Sequence, residues 1–307
     1  MAEAALPAIN TEGPWIHHEV SANGIRQHVV EAGAGPLVLL LHGFPEFWWA
    51  WRSQLVALAD AGLRAVAVDL RGYGGSDKPP RGYDGFTLSG DVAGLVRALG
   101  ESDATLVGHG WGGILAWTAA TLHPRVVRRI AVLSAPHPLR LRQAMLTDPR
   151  GQLRATRHIL GFQSPRLPES LLTRDDGAWV GELLRRWSGP GWPGTEDFGI
   201  AERQYRSAIQ IPAVAHCALE YYRWMIRSQL RPDGWRYAKL LSEPVSAPTL
   251  QLHGGQDSCL LPRTAQGSGR YVAAAYEWRL LADAGHFLHE EAPDTVSGEL
   301  IRWAKGA

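Results

Sequence analysis

Ala104-Thr-Leu-Val-Gly-His-Gly-Trp-Gly-Gly-Ile-Leu-Ala-Trp-Thr-Ala-Ala120 is the stretch on which the reading of the fold turns. The apolar run 104–107 predicts a short strand, and 114–120 has the make-up of a helix. Between them lies the frame Gly108-His109-Gly110-Trp111-Gly112. Strand, sharp turn and helix around G-x-nucleophile-x-G is the layout of a nucleophile elbow. The central position of such a turn needs Ser, Cys or Asp. Here it holds Gly110, which has no side chain.

The flanking sequence repeats the strand–helix alternation. Residues 15–20 and 25–31 alternate about the turn signal Ala22-Asn23-Gly24 and predict a hairpin. Leu37–Leu41 is continuously apolar, as suits a strand buried on both faces. A helix is predicted over 47–62, a strand over 65–69, a helix over 88–99 and a strand over 127–134. This is the β-α-β-α-β order of a doubly wound, mostly parallel sheet. The pattern stops near 137. Residues 137–245 are rich in Arg, Trp and Pro and predict helices over 139–146, 177–187 and 213–229, with no buried strand. It resumes with a strand at 248–253, a helix near 263–272, a strand at 277–281 and a helix over 295–304. The expected organisation is one α/β domain, 1–136 with 246–307, carrying a helical insertion at 137–245 as a cap.

Bulk composition narrows the function classes. The 307 residues carry 31 Lys or Arg against 30 Asp or Glu, a net charge of +1. Nothing in that balance argues for a nucleic-acid or acidic-lipid partner. Two cysteines, Cys217 and Cys259, make no disulfide framework, so a reducing cytoplasm is the expectation. The start, MAEAALPAINTEGPW, lacks a basic region followed by an apolar one, and no run is long enough for a membrane span. A monomer or homodimer fits these numbers. No metal or cofactor motif is apparent.

Three further segments stand where such a sheet places chemistry, at the carboxyl ends of strands. His42-Gly43-Phe44-Pro45-Glu46 follows one strand, and its Phe44 N–H is a candidate oxyanion donor. The Trp111 N–H, at a helix start where backbone donors are free, is the candidate partner. Gly254-Gly255-Gln256-Asp257 and Ala284-Gly285-His286-Phe287 follow two others. A carboxylate at Asp257 bonded to one ring nitrogen of His286 leaves the other free as a general base. Trp48 and Trp49, together with Trp111, are candidate walls of an apolar pocket.

Taken together, HGFPEFWWAWRSQ, DLRGYGGSDKP, VGHGWGG, GGQD and AGHF resemble the α/β-hydrolase superfamily and, within it, the epoxide hydrolase branch. The likeness covers nearly the whole chain and is of the actinobacterial, mycobacterial type. It implies an Asp at the elbow that attacks the epoxide carbon. A His–Asp pair then activates water against the resulting ester. Two cap tyrosines hold the epoxide oxygen. Carried onto this chain, the base is His286, its partner Asp257, and the second tyrosine Tyr222, with Glu220 where the family usually has Asn. His158 aligns with the first tyrosine and Gly110 with the nucleophile. The chain departs from the family at those two functional positions, and both departures count against ordinary epoxide hydrolysis.

Glycine tolerates the positive φ of an elbow without penalty. Losing the nucleophile from such a unit costs on the order of 10⁶ in rate. Neither Trp111 nor His109 replaces it, and Ser134 lacks the elbow geometry. Three readings stand: an altered route in which His286 activates water directly, a non-catalytic binding protein, or an introduced substitution. His42 and His109 read as structural. Asp69, Arg71 and Asp77 read as a loop clamp, and Asp283, Glu290 and Glu291 as exposed turn residues.

Overall fold

The computed structural model describes residues 9–306. Of the N-terminal segment read above as lacking a leader, residues 1–8 lie outside that range. Eight strands form one sheet: β1 (Ile16–Ala22), β2 (Ile25–Ala32), β3 (Leu37–Leu41), β4 (Arg64–Val68), β5 (Ala104–His109), β6 (Val127–Leu133), β7 (Thr249–Gly254) and β8 (Tyr276–Leu281). Their order is β1-β2-β4-β3-β5-β6-β7-β8, with β2 antiparallel to β1 and β4 and all other pairs parallel. The expected hairpin is present, and Asn23 and Gly24 take positive φ at its turn. Every residue of β3 and β5 is buried, as a sheet covered on both faces requires. The strand order reverses at β3, between β4 and β5, so their carboxyl ends open a crevice where ligands bind in such sheets.

Helices α1 (Arg52–Asp60), α2 (Gly85–Ala98), α3 (Trp111–Leu122) and, at the C-terminus, α13 (Pro293–Lys305) cover the sheet. The α2 helix begins three residues earlier than periodicity predicts. Asp84 caps it by accepting from the Phe86 and Thr87 N–H groups at 3.0 and 2.9 Å. The predicted helix over 47–62 opens instead as a short 3-10 turn, Trp48–Trp51, with all four side chains buried.

Between β6 and β7 the chain forms only helices: α4 (Pro138–Thr147), α5 (Gln152–Ala155), α6 (His158–Gly161), α7 (Leu167–Trp187), α8 (Glu196–Ile209), α9 (Val214–Arg227) and α10 (Pro232–Leu240). The turn at Arg174–Gly177, with positive φ from Asp175 to Gly177, interrupts α7. Of these, sequence reading missed α8 and α10 and the short α5 and α6. The α8 helix has a signal: the Thr195 hydroxyl caps the Phe198 N–H at 3.1 Å, and Phe198, Ala201, Tyr205 and Ala208 recur on its buried face. Two short helices, α11 (Pro262–Gln266) and α12 (Leu288–Glu291), complete the chain.

Candidate active site

The elbow forms as the sequence predicts. Gly110 sits between β5 and α3 with φ 51° and ψ −114°, a conformation that disfavours any side chain. Its N–H donates to the Leu133 carbonyl at 3.1 Å, and its own carbonyl accepts from Ile114 N–H at 3.0 Å. Gly112 serves close packing: a Cβ there would lie 2.0 Å from the Leu41 carbonyl oxygen, so α3 could not approach β3 with any larger residue. At Gly110 space is available. A Cβ would stand 3.5 Å from Gly43 Cα and 3.6 Å from His286 Nε2, both ordinary contacts. The direction in which an elbow side chain would project is therefore the direction of the His286 ring.

His286 and Asp257 come together across the carboxyl ends of β8 and β7. His286 Nδ1 lies 2.9 Å from Asp257 Oδ2. The other carboxylate oxygen accepts from the Cys259 and Leu260 N–H groups at 2.8 Å each. Burial opposes the charge on Asp257. The nearby His286 and His253 rings and those N–H bonds outweigh it and hold the carboxyl below its usual range. An ionised Asp257 requires Nδ1 of His286 to carry the proton, which leaves the Nε2 lone pair facing Gly110. The backbone of His286 is fixed as well: its N–H donates to Trp187 O at 2.8 Å, and its carbonyl meets His109 Nε2 at 2.9 Å.

The walls come from both layers. A cavity of about 50 Å³ is bounded by Gly110, His286, Phe44 and Trp111 from the sheet domain and by Tyr222 and His158 from the insertion. Tyr222 is wedged between aromatic rings, with centroids 5.0 Å from Phe162, 5.1 Å from Trp111 and 5.6 Å from Phe44. Burial pushes its hydroxyl well above the ordinary tyrosine range, so it is a neutral O–H donor. His158 packs tilted against Trp187 and edge-on to Tyr222, with ring centroids 4.9 and 6.2 Å away. Burial drives its pKa down to about 4, so this imidazole is neutral at pH 7. The Phe44 and Trp111 N–H groups have no backbone acceptor among the described residues. A second cavity, of about 320 Å³ and mostly apolar, shares Trp111, Ile114, Leu141 and Met225 with the first.

Several expectations change. Trp48 and Trp49 line neither cavity. Trp48 is wholly buried, donates its indole N–H to the Ile9 carbonyl at 2.8 Å and packs on Trp15. Trp49 packs on Tyr205, with the Arg52 guanidinium 3.7 Å over its ring. A run of tryptophans reads the same in sequence whether it faces a pocket or the core. The Asp69 clamp has other partners: Asp69 binds His28 and the Trp48 and Gly75 N–H groups, Arg71 pairs with Asp91, and Asp77 with Arg26. Glu290 and Glu291 are not exposed turn residues. Glu290 is buried against Arg52 at 2.7 Å, and Glu291 accepts from the Gly285 and Phe287 N–H groups, bracing the His286 loop. His42 is structural as expected, bridging Gly43 O and Leu70 N–H.

Sequence reading assigned no role to Glu46 or His289. Both are wholly buried. Glu46 Oε2 accepts from Gly43 N–H at 2.7 Å and lies 2.8 Å from His109 Nδ1, while Oε1 is 3.2 Å from His289 Nε2. Glu46 thereby ties the Phe44 loop, the elbow and the His286 loop together. The available signal was a carboxylate among Phe44, Phe47 and Trp48, where an unpaired charge could not persist.

Comparison with known proteins places this geometry. Residues 36–293 match the family described as alpha/beta hydrolase fold. The chain is 34% identical to epoxide hydrolase 3 of Xenopus tropicalis, over 97% of this chain and 80% of that protein. It is 31% identical to epoxide hydrolase A of Mycobacterium tuberculosis, over 94% and 96%. The crystal structure of epoxide hydrolase A from Mycobacterium thermoresistibile superimposes with a TM-score of 0.78 at 29% identity, covering 95% of this chain and 98% of that one.

Proposed function

The chain belongs to the alpha/beta hydrolase fold family and to its epoxide-hydrolase-like branch, and from that premise we propose that the cavity adds water to an apolar epoxide without a covalent enzyme intermediate. The observation that carries this reading is the complete His286–Asp257 pair, whose free ring nitrogen lies beside Gly110 in the cavity that Tyr222 also lines. His286 Nε2 takes a proton from water as the water oxygen bonds to an epoxide carbon. The carbon–oxygen bond on that carbon breaks, and the Tyr222 hydroxyl gives its proton to the departing oxygen. The proton on His286 returns to Tyr222 by way of solvent, and a vicinal diol leaves. Asp257 stabilises the imidazolium formed in between. His158, a neutral imidazole on the same wall, is the second hydrogen-bonding group for the epoxide oxygen. The helices between β6 and β7 act as the cap. The larger apolar cavity takes the substituent that the small one cannot hold.

In this assignment the Phe44 and Trp111 N–H groups no longer serve an ester intermediate. They orient the attacking water. A second reading, an apolar-ligand-binding protein without turnover, is favoured by Gly110 itself, since nothing else at the elbow supplies a nucleophile.

Diol release from aryl and alkyl epoxides separates the two. The chain, Gly110→Asp, and each with His286→Ala are compared. Turnover by the chain that His286→Ala abolishes supports direct water activation. Silence in the chain with activity in Gly110→Asp shows a site intact but for one residue. Silence in both, with the proteins folded, leaves the binding role.

A further inference from the structure

The mouth of the larger cavity does not look like an ordinary protein surface. Eight large hydrophobic residues are strongly exposed among the described residues, and six of them belong to the insertion. Two of those, Leu146 at 75% and Leu230 at 86% exposure, line the larger cavity itself. They are its rim. Trp235, 58% exposed, adjoins them: its indole N–H donates to the carbonyl of Gln229, another lining residue, at 2.9 Å. Scattered apolar side chains need no explanation, but three around the opening of an apolar cavity form a patch of the kind that marks an interaction site.

Charge narrows the partner. Residues 137–245 carry 16 Lys or Arg against 11 Asp or Glu, while the remainder of the chain carries 15 against 19. The whole-chain value of +1 therefore hides a positive insertion on a negative sheet domain. At the mouth, Arg142 lines the cavity one helical turn before Leu146, and Arg236 and Lys239 share α10 with Trp235. All three are exposed, and none has an acidic partner among the described residues. The nearby carboxylate on α10, Asp233, is held by Arg231 at 2.6 Å.

From the rim and its charge we infer that this mouth docks on an anionic lipid bilayer surface. Leu146 and Leu230 enter the acyl boundary, and Trp235 lies at headgroup depth, where an aromatic ring with one polar edge is favoured. Arg142, Arg236 and Lys239 meet lipid phosphates, each adding favourable attraction near a negative leaflet. A second copy of the chain fits this face poorly, because two such rims would bring like charges together. Docking lets an apolar molecule pass from bilayer to cavity without crossing water.

Co-sedimentation with vesicles tests this without reference to catalysis. The chain is mixed with neutral phosphatidylcholine vesicles and with vesicles containing about 30% phosphatidylglycerol. The expected result is binding to the anionic vesicles only, weakened at about 0.5 M NaCl. Leu146→Ser/Leu230→Ser/Trp235→Ser and, separately, Arg142→Glu/Arg236→Glu/Lys239→Glu should each lower the partition coefficient about tenfold or more. These positions are exposed, so circular dichroism and melting should match the parent. The proposal is overturned if the parent stays in the supernatant with anionic vesicles, or if either variant sediments as the parent does. Concentration-dependent dimerisation that the serine variant abolishes, seen by size-exclusion chromatography, would overturn it in favour of a second copy.

Discussion

Two histidines each follow a glycine at the carboxyl end of a strand, His109 as the last residue of β5 and His286 in the loop beyond β8, and their rings lie 4.7 Å apart. Each has one ring nitrogen on a buried carboxylate, Glu46 at 2.8 Å and Asp257 at 2.9 Å. The difference is at the other nitrogen. His109 Nε2 meets the carbonyl of His286, so the ring is closed into the protein. Both of its neighbours are acceptors, a carboxylate and a carbonyl, so His109 donates from both nitrogens; burial disfavours its charge, but Glu46 and that carbonyl raise its pKa. His286 Nε2 faces the cavity instead. A buried histidine–carboxylate pair is thus a framework part or a candidate base according to what its second nitrogen meets. A third ring, His158, has no carboxylate, and burial outweighs a backbone bond to Ala155 and leaves it neutral.

The contrast can be broken at its structural end first. Removing the Glu46 carboxylate leaves His109, His289 and the Gly43 N–H without their acceptor, and all are buried. Glu46→Ala should cost about 3–5 kcal/mol in urea unfolding, because a lone buried charge remains. A loss below about 1 kcal/mol would remove the case for His109 as a framework cation. His286→Ala, by contrast, should cost less than Glu46→Ala, because Asp257 keeps the Cys259 and Leu260 N–H groups when the ring is removed, and its larger effect should fall on turnover.

Acid titration sharpens the role of the unpaired ring. The folded pKa of His158, about 4, lies below the unfolded value, so the unfolded chain binds more protons between them. Stability is held above about pH 6.5 and falls as pH drops toward 4, by about 3 kcal/mol for this residue. His289, also lowered to about 4 by burial, adds in the same direction. Denaturation curves at pH 7 and pH 4.5 should show a smaller difference in His158→Phe than in the parent. Equal differences would mean that His158 is solvated.

The smallest effect concerns the elbow. Gly110→Ala places a methyl group in ordinary contact with Gly43 and His286 but at φ 51°, so it should destabilise by about 1 kcal/mol, read from urea midpoints. A stabilising change would show that the turn relaxes when substituted.

Local chemistry along the chain determined much of this protein. Continuous apolar runs, glycine turns and strand-end motifs were enough to predict the sheet, the helical insertion and the pairing of Asp257 with His286, because each depends on short-range periodicity or on a motif with one geometry. The lack of a nucleophile at Gly110 is likewise a fact of the sequence. Only the tertiary structure decided which apolar and charged residues share a surface. Trp48 belongs to the core, although its run of tryptophans reads equally well as a pocket wall, and His158 belongs to the cavity wall. Glu46 meets His289, 243 residues further along the chain, and Glu290 is buried on Arg52 although its neighbours read as a polar turn. Such pairs follow from the strand order β4-β3-β5, which places the ends of distant segments side by side. No local pattern encodes which buried carboxylate meets which cation, since the cost of burial is met by whichever partner the fold delivers.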